Sequence, residues 1–215
     1  MNSKKGTETM KKRNVNTNGF KMSWREIKRN AYRNKNFPID SFFEVLKESK
    51  KMLKKGFCKL DVYEKGCYVG KYRWDKSKRI EWYYFGDMRR VLRRTFDKWN
   101  YIGRALDCIP SQGHTVEKKH YESFFRLLDK SVQIKKGISF ASRLLCLKRP
   151  DVFVSVTKTN RPKLTELFGK NITTRESYWN FIENVQKSKW YQEAPRSDKQ
   201  FHCRMALLDV VSYNT

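Results

Sequence analysis

The chain has 215 residues, of which 48 are Lys or Arg and 22 are Asp or Glu, so its formal net charge at pH 7 is +26. Such an excess destabilises a compact state by self-repulsion and favours a densely anionic partner, nucleic acid before an anionic membrane surface. Aromatic residues make up 14% of the chain, which argues against a disordered polybasic chain. No apolar run approaches the roughly 20 residues of a membrane span, so none is predicted.

Composition and turn signals divide the chain into three predicted parts. Residues 1–21 are polar and basic and are expected to form a flexible arm. Residues 22–110 are predicted to combine basic helices with a small antiparallel sheet, and residues 114–215 to be helical. The Pro-Ser-Gln-Gly break from Pro110 to Gly113 is the expected boundary. The predicted fold class is α+β, mostly helical, with the sheet in the N-terminal half.

Two capping boxes predict the first helices. Ser23 with Glu26 opens one helix, and Ser41 with Glu44 opens a second that is expected to end at Gly56. The charge on the second helix is almost uniformly positive, which favours a phosphate-facing surface over an ordinary solvated face. The lysines concerned are Lys47, Lys50, Lys51, Lys54 and Lys55.

Between residues 57 and 86, apolar and polar residues alternate. The segments CKLDVY, CYVGKYRW and RIEWYYF are therefore predicted to form three antiparallel strands. Asp87 is expected to cap the helix that follows, which turns its apolar residues inward and its arginines outward. Arginine suits bidentate contact with phosphates. The arginines of this helix are Arg89, Arg90, Arg93 and Arg94.

The same region resembles the GIY-YIG nuclease arrangement. Gly-Cys-Tyr ending at Tyr68, Tyr-Phe-Gly beginning at Tyr84, and the arginine helix carry the resemblance. In that family two tyrosines on adjacent strands, an arginine on the next helix and a later glutamate assemble around one metal ion. The resemblance implies such roles for Tyr68, Tyr84 and Arg90, with Glu117 or Glu122 as the metal carboxylate. Packing of these tyrosines in the core or at the rim of a sheet is the alternative.

A basic turn between two apolar-periodic segments is the centre of the C-terminal half. The apolar spacing predicts one helix before the turn, over 121–134, and another after it, over 140–147. Ser139 is placed to cap the second helix. A glycine here lets the backbone approach a ligand, and lysines beside the free N–H groups of a helix favour a phosphate. The turn residues concerned are Lys135, Lys136 and Gly137. An ordinary hairpin with a solvated turn is the alternative.

Lys-Lys-Gly-Ile-Ser followed by an apolar helix resembles a helix-hairpin-helix element, the DNA-backbone clamp of many DNA-repair proteins. The continuation LCLKRPDVFVSV resembles the helix-hairpin-helix DNA glycosylase superfamily, over roughly residues 120–165. The position where bifunctional members carry a lysine falls near Ala141, and the expected catalytic aspartate falls at about Thr157 or Thr159. The resemblance therefore implies DNA binding rather than base excision.

Further helix signals follow the hairpin. Thr159 or Asn160 is expected to cap a short helix that ends at Gly169, and Thr173 with Glu176 forms a third capping box. The segment QFHCRMALLDVVSY is predicted to be a buried closing helix. The longer C-terminal pattern also resembles modules of bacterial and phage restriction or defence proteins, a resemblance that implies no particular activity.

The five cysteines are an odd number without short spacing, which predicts a reduced, intracellular compartment, cytoplasmic or nucleoid-associated. Cys108, His114 and His120 match no familiar zinc spacing, so no metal site is predicted. No glycine signature of a phosphate-binding loop or a dinucleotide site is present, and no cofactor is predicted.

These observations predict a DNA-binding protein that contacts the phosphate backbone, with duplex DNA as the expected partner, in DNA repair, restriction or phage defence. A DNA-processing enzyme, either a diverged glycosylase or a GIY-YIG-like nuclease, is one alternative. An RNA-binding module, whose exposed aromatic residues stack single-stranded bases, is another. No catalytic residue is assigned. The predicted nucleic-acid-binding residues are Lys135, Lys136, Gly137, Ser139, Arg143, Lys158, Arg161, Arg89, Arg90, Arg93 and Arg94.

Overall fold

A computed structural model of the protein describes residues 18–35, 37–75, 80–85, 88, 99–131 and 138–213. Over these residues the chain is mostly helical, as predicted. The helices are α1 (Trp24–Arg33), α2 (Ile39–Lys55), α3 (Val62–Val69), α4 (Trp99–Asp107), α5 (Lys118–Ser131), α6 (Ser139–Lys148), α7 (Arg161–Phe168), α8 (Arg175–Gln186), α9 (Lys189–Glu193) and α10 (Leu207–Ser212). Short 3-10 turns cover Asn18–Phe20, Phe57–Lys59, Trp82–Phe85 and Phe201–Cys203.

The predicted N-terminal arm is described only at its end, since residues 1–17 lie outside the described residues. The 3-10 turn there is held against the C-terminal half. The Phe20 ring packs edge-on against the Phe168 ring of α7, with 4.9 Å between the ring centroids. The last residues of the arm therefore belong to the packed structure.

The first capping box is confirmed. The Glu26 N–H donates to the Ser23 hydroxyl (3.3 Å), and the Ser23 N–H donates to the Glu26 carboxylate (2.7 Å). The second box is wrong, because α2 begins two residues before Ser41. Pro38 precedes the helix with a φ of −75°, which is already close to the helical value. The end of α2 at Gly56, with a φ of 83°, is as predicted.

The predicted three-stranded sheet is wrong. Helix α3 takes the place of the first turn and the residues around it, because Asp61 and Glu64 form a capping box. The Glu64 N–H donates to Asp61 (2.7 Å), the Asp61 N–H donates to Glu64 (3.2 Å), and Gly70 ends the helix in the left-handed region. Within the described ranges the strand pairing is limited to an antiparallel ladder of two residues per strand, β1 (Trp74–Asp75) with β2 (Ile80–Glu81).

Both helices that flank the basic turn are present. The apolar stripe of α5 is buried, as the spacing predicts, and α6 is so enclosed that every residue over 140–147 is buried. Helices α2, α3 and α4 all pack against α6, which makes it the central helix. The turn itself, residues 132–137, lies outside the described residues. The buried residues of the α5 stripe are Tyr121, Phe124, Phe125 and Leu128.

One hydrophobic core runs through both predicted halves of the chain. Helix α1 packs against α9 and α10, and α2 packs against α6. The buried Arg149 at the end of α6 pairs with Asp151 (2.8 Å). Its Nη1 also donates to the carbonyl oxygens of Pro110 (3.0 Å), Ser111 (3.1 Å) and His114 (2.9 Å). The predicted boundary loop is therefore bound to the C-terminal half.

Of two predicted helix starts in the C-terminal half, one is in place without its capping bond and the other is displaced. Asn160 does precede α7, and Gly169 ends it, but the Asn160 side chain accepts from the Thr157 N–H (2.8 Å) instead of capping the helix. The third capping box is formed one residue later than predicted. Thr174 and Ser177 exchange its two hydrogen bonds (3.1 and 3.0 Å), so the hydroxyl of Ser177 takes the role expected of a glutamate.

In the closing segment the α-helix is limited to α10, and the 3-10 turn Phe201–Cys203 precedes it. Leu207 and Leu208 of α10 lie in the core. No helix in the part of the chain that the structure describes combines the length and the apolar character needed to cross a bilayer.

Candidate nucleic-acid interface

The N-termini of α6 and α7 lie side by side. Ser139 is the first residue of α6 and Arg161 the first of α7, and Nη2 of Arg161 donates to the Ser139 hydroxyl (3.2 Å). Neither helix has a side-chain N-cap hydrogen bond. The Arg161 guanidinium therefore lies at the uncapped N-terminus of α6, where the leading N–H groups and the positive dipole end favour an anion. At the start of α7 the Arg161 N–H donates to the Thr157 carbonyl (3.2 Å) and Pro162 has no N–H, so that helix contributes mainly its cationic side chains. Lys158, in the turn before α7, is exposed. We call Ser139, Lys158 and Arg161 the α6–α7 cluster.

Ser139 does not cap α6, contrary to the prediction. The N-cap is Ile138, whose backbone (φ −85°, ψ −18°) is already helical, so Ser139 falls inside the first turn. Its hydroxyl is used by Arg161 instead. The three turn residues predicted to contact phosphate directly precede Ile138 in the chain and lie outside the described residues. They are Lys135, Lys136 and Gly137.

Arg143 is removed from the predicted binding surface, because its side chain is fully buried in the core. Nε and Nη2 donate to the carbonyl oxygens of Tyr68 (2.9 Å) and Cys67 (2.9 Å) in the last turn of α3. Nη1 donates to the carbonyl of Trp82 (3.0 Å). The last carbonyls of a helix lack intrahelical donors and carry partial negative charge. The guanidinium therefore caps α3 from inside the molecule.

The lysines of α2 form a second basic surface, since all five are exposed. Lys51 contacts Glu48 (3.4 Å) and Lys55 contacts Glu64 (3.1 Å). From the first to the last lysine the row extends about 12 Å along the helix axis, at 1.5 Å per residue. We call Lys47, Lys50, Lys51, Lys54 and Lys55 the α2 lysine row. The other predicted basic helix, with Arg89, Arg90, Arg93 and Arg94, lies outside the described residues.

Sequence reasoning missed two exposed features. On α1, Arg25, Arg29 and Arg33 are all exposed, while Trp24 on the other face is buried. Their spacing of four residues, which places them on one helix face, is the signal that identifies such a stripe. The second feature is the exposed start of α3 at Val62 and Tyr63. The predicted strand over this segment gives no reason to expect Val62 and Tyr63 together on an exposed helix start.

The two tyrosines of the nuclease resemblance do not lie on adjacent strands, and Arg90 lies outside the described residues. Tyr68 is buried on α3, its hydroxyl lies 3.5 Å from the Leu144 carbonyl, and burial raises the pKa of its phenol well above the ordinary value. Tyr84 is buried in a 3-10 turn rather than exposed on a strand. Neither hydroxyl is placed to activate water at a phosphate. Of the two candidate carboxylates, Glu117 is exposed and pairs with Lys119 (2.8 Å), and Glu122 is exposed.

The glycosylase positions also lack acid–base groups. Ala141 is buried in α6, and the Thr157 hydroxyl accepts from the Asn160 N–H (3.2 Å) in the turn before α7. Among the described residues, no group of three or more His, Cys, Asp or Glu side chains is arranged to hold a metal ion. The His120 ring accepts from the Glu117 N–H (3.0 Å), and all five cysteines are free thiols.

Comparison with models of known protein families, with curated proteins and with solved structures finds no significant match to this chain. The helix-hairpin-helix resemblance therefore rests on the turn motif and on the two helices beside it. Chemically, the described surface offers cations and helix N-termini. Exposed Lys and Arg outnumber exposed Asp and Glu more than twofold. These are groups that neutralise and orient phosphates.

Proposed function

We propose that the protein binds DNA through the phosphate backbone, with the basic turn and the α6–α7 cluster as one anchor and the α2 lysine row as another. The observation that carries the proposal is the Arg161–Ser139 contact, which brings a guanidinium to the uncapped N-terminus of α6. Oriented N–H groups and a guanidinium at one place suit a phosphate oxygen better than they suit water, because the acceptor is charged.

The chain order supports this anchor. The Lys-Lys-Gly sequence of the turn is connected directly to Ile138 at the N-terminus of α6. Lys158 belongs to the turn that leads into α7, and it is exposed. A phosphate at the cluster would therefore have cationic side chains in both chain segments that lead to it. Such contacts fix the position of the duplex and carry no sequence information by themselves.

The test is binding of a fluorescent DNA duplex by anisotropy over a series of salt concentrations. With about 6–10 phosphates contacted, log affinity is expected to fall against log salt with a slope of about −5 to −9. Replacing Lys135, Lys136 and Lys158 by glutamine together removes three charges at the anchor. That variant should bind more weakly, with a slope shallower by about 2 to 3.

A matched variant separates the anchor from net charge. Replacing Lys170, Lys187 and Lys189 by glutamine removes the same charge from exposed positions around the α8–α9 junction. That variant should keep an affinity close to the parent's, and both variants should keep the parent's melting temperature. Equal losses in the two variants would show unspecific attraction. An affinity that does not depend on salt would remove DNA as the partner.

A further inference from the structure

An exposed apolar patch marks the start of α3. The large hydrophobic side chains that are exposed in the described part of the chain are Tyr32 (51%), Val62 (58%) and Tyr63 (41%), and the last two are adjacent. The later residues of the same helix, Cys67 and Tyr68, are fully buried. Helix α3 therefore anchors itself through its C-terminal end and presents apolar side chains to solvent at its N-terminal end.

The aromatic surface at this place is built in a fixed geometry. The rings of Tyr63 and Tyr72 are stacked, with 4.8 Å between centroids and 22° between planes. A Cβ atom on Gly66 would lie 2.2 Å from the Tyr72 ring, so glycine is what lets that ring lie against α3. The Tyr72 N–H also donates to the Gly66 carbonyl (3.3 Å). The close approach at Gly66 and this hydrogen bond therefore fix the position of Tyr72 against α3, and with it the stacked Tyr63–Tyr72 pair.

One cation lies against the pair, and further cations stand close to it in the chain. Lys71 Nζ lies 5.3 Å from the Tyr72 ring centroid, and Lys59 and Arg73 are exposed on either side in the chain. Two carboxylates of this region, Asp61 and Glu64, cap α3, and Glu64 also binds Lys55. The contact with Lys55 joins the end of the α2 lysine row to the start of α3. The α2 lysine row therefore ends next to the helix that carries Tyr63.

We propose that Tyr63 and Tyr72 form a stacking platform for an unpaired base of single-stranded DNA, with its phosphates on Lys59 and the adjoining α2 lysine row. Aromatic faces stack any base, and flanking cations hold the backbone. A stable protein interface buries about 800 Å² on each partner, far more than the exposed surface of Val62 and Tyr63 offers. The area of one tyrosine ring instead matches the face of a single base. This inference rests on the DNA binding proposed above and adds unpaired bases to its targets.

The test compares a labelled single strand with a duplex of the same length. Tyr63→Ala should weaken single-strand binding on the order of 10-fold, the scale of losing one stacked base, and leave duplex binding almost unchanged. Tyr63→Phe keeps the ring and should bind like the parent. Gly66→Ala, which displaces Tyr72, should resemble Tyr63→Ala. Melting temperatures of all variants show that they remain folded.

A second measurement locates the base directly. A single strand carrying 5-iododeoxyuridine is cross-linked to the parent protein by light, and the modified peptide is identified by mass spectrometry. Cross-links at Tyr63 or Tyr72 support the platform. Cross-links only elsewhere, together with undiminished single-strand binding by Tyr63→Ala, would overturn it, while intact duplex binding would leave the proposed function standing.

Two other arms distinguish the remaining partners. If neither form of DNA binds, the proposed function fails and the platform fails with it. A matching RNA strand that alone requires Tyr63 would overturn the assignment to DNA. Anionic vesicles that lose binding in Tyr63→Ala, while single-strand binding is unchanged, would make the patch a membrane contact and overturn the platform.

Discussion

At the scale of single residues, Arg143 has the largest predicted effect on stability. Replacing it with methionine takes this donor from the buried carbonyls of Tyr68 and Trp82, while the Cys67 carbonyl keeps the Gly70 N–H (3.1 Å). Each buried group left unsatisfied costs about 1–3 kcal/mol. Arg143→Met should therefore lower the free energy of unfolding, measured in urea, by about 3 kcal/mol or more.

The variant Arg143→Lys separates charge from geometry. Lysine keeps the positive charge but cannot span three carbonyls with a fixed fork of donors. It should remain destabilised, whereas DNA affinity measured on folded protein should match the parent's in both variants. A lysine variant with the parent's stability would show that the charge alone is needed. A folded methionine variant with weakened DNA binding would return Arg143 to the interface.

Asp209 makes the stability of the protein depend on pH. It is fully buried in α10, and Nδ2 of Asn160 donates to its Oδ1 (2.5 Å). Burial raises the pKa of Asp209 to about 8, against the opposing effects of the Asn160 hydrogen bond and the positive charge of Arg143. The folded state therefore holds a proton that the unfolded state releases near pH 4, so stability falls as pH rises from about 4 to about 8. The slope from this group approaches about 1.4 kcal/mol per pH unit.

The variant Asp209→Asn should lose this component, so its free energy of unfolding should fall less than the parent's between pH 5 and pH 8. Asp198 is the matched control. Partial burial acts to raise the pKa of Asp198, but hydrogen bonds from Lys28, the Gln200 N–H and Trp24 lower it below the ordinary value. Asp198→Asn should leave the slope over this pH range unchanged, because Asp198 is ionised there in both states. Equal slopes for the parent and Asp209→Asn would contradict the assignment.

These residues also show where prediction from sequence ends. Arg143 stands in the segment SFASRLLCLK, and a single arginine at the start of an apolar helix was interpreted as a surface charge. Its burial depends on the carbonyl ends of α3 and on Trp82, which are far away in the chain. The residues next to Arg143 in the sequence contain no signal for these hydrogen bonds to distant carbonyls. Lys158, predicted to bind nucleic acid, is exposed, and within the described part of the chain no other element buries it.

At the scale of elements, the α2 lysine row makes a prediction about salt dependence. Lys47, Lys50 and Lys54 are exposed, and within the described residues none of them pairs with a carboxylate. Replacing all three by glutamine should weaken duplex binding and make the salt slope shallower by about 2 to 3. The melting temperature should stay within a few degrees of the parent's, because the row faces solvent. An unchanged slope with unchanged affinity would reduce the row to a solvated helix face.

Helix ends were predictable where a local signal acts alone. The Ser23–Glu26 capping box and the glycine stop at Gly56 need only neighbouring residues, and both are present. The strand prediction failed around α3 because its short segment, VYEKGCYV, fits alternation as well as helical spacing. Asp61 and Glu64 carry the box that decides for the helix. The overlooked cap was the better signal, because it satisfies backbone N–H groups that a strand would leave to a partner.

At the scale of the whole molecule, the two predicted halves depend on each other. Arg143 of α6 caps α3, and Arg149 binds the carbonyls of the loop at Pro110 to His114. Helices α1 and α10 pack together although they come from opposite ends of the chain. The Pro-Ser-Gln-Gly sequence from Pro110 to Gly113 predicts a loop there, but it does not predict that Arg149 binds the loop carbonyls. Contacts between segments so far apart leave no periodic signal.

The last prediction follows from this mutual dependence: the described helices should unfold in one cooperative transition. Hydrogen exchange measured by mass spectrometry at increasing urea concentration should give the same midpoint for peptides from α1–α4 and from α5–α10. A fragment covering 114–215 should lack cooperative unfolding. In that fragment the buried guanidinium of Arg143 would lose its carbonyl partners, and α6 would expose the faces that α2, α3 and α4 cover. Burying an unpaired charge costs several kcal/mol, a large part of the 5–15 kcal/mol of stability typical of a domain. Two separate midpoints, or a fragment that unfolds cooperatively with native helicity, would show instead that the Pro110–Gly113 break divides independent domains.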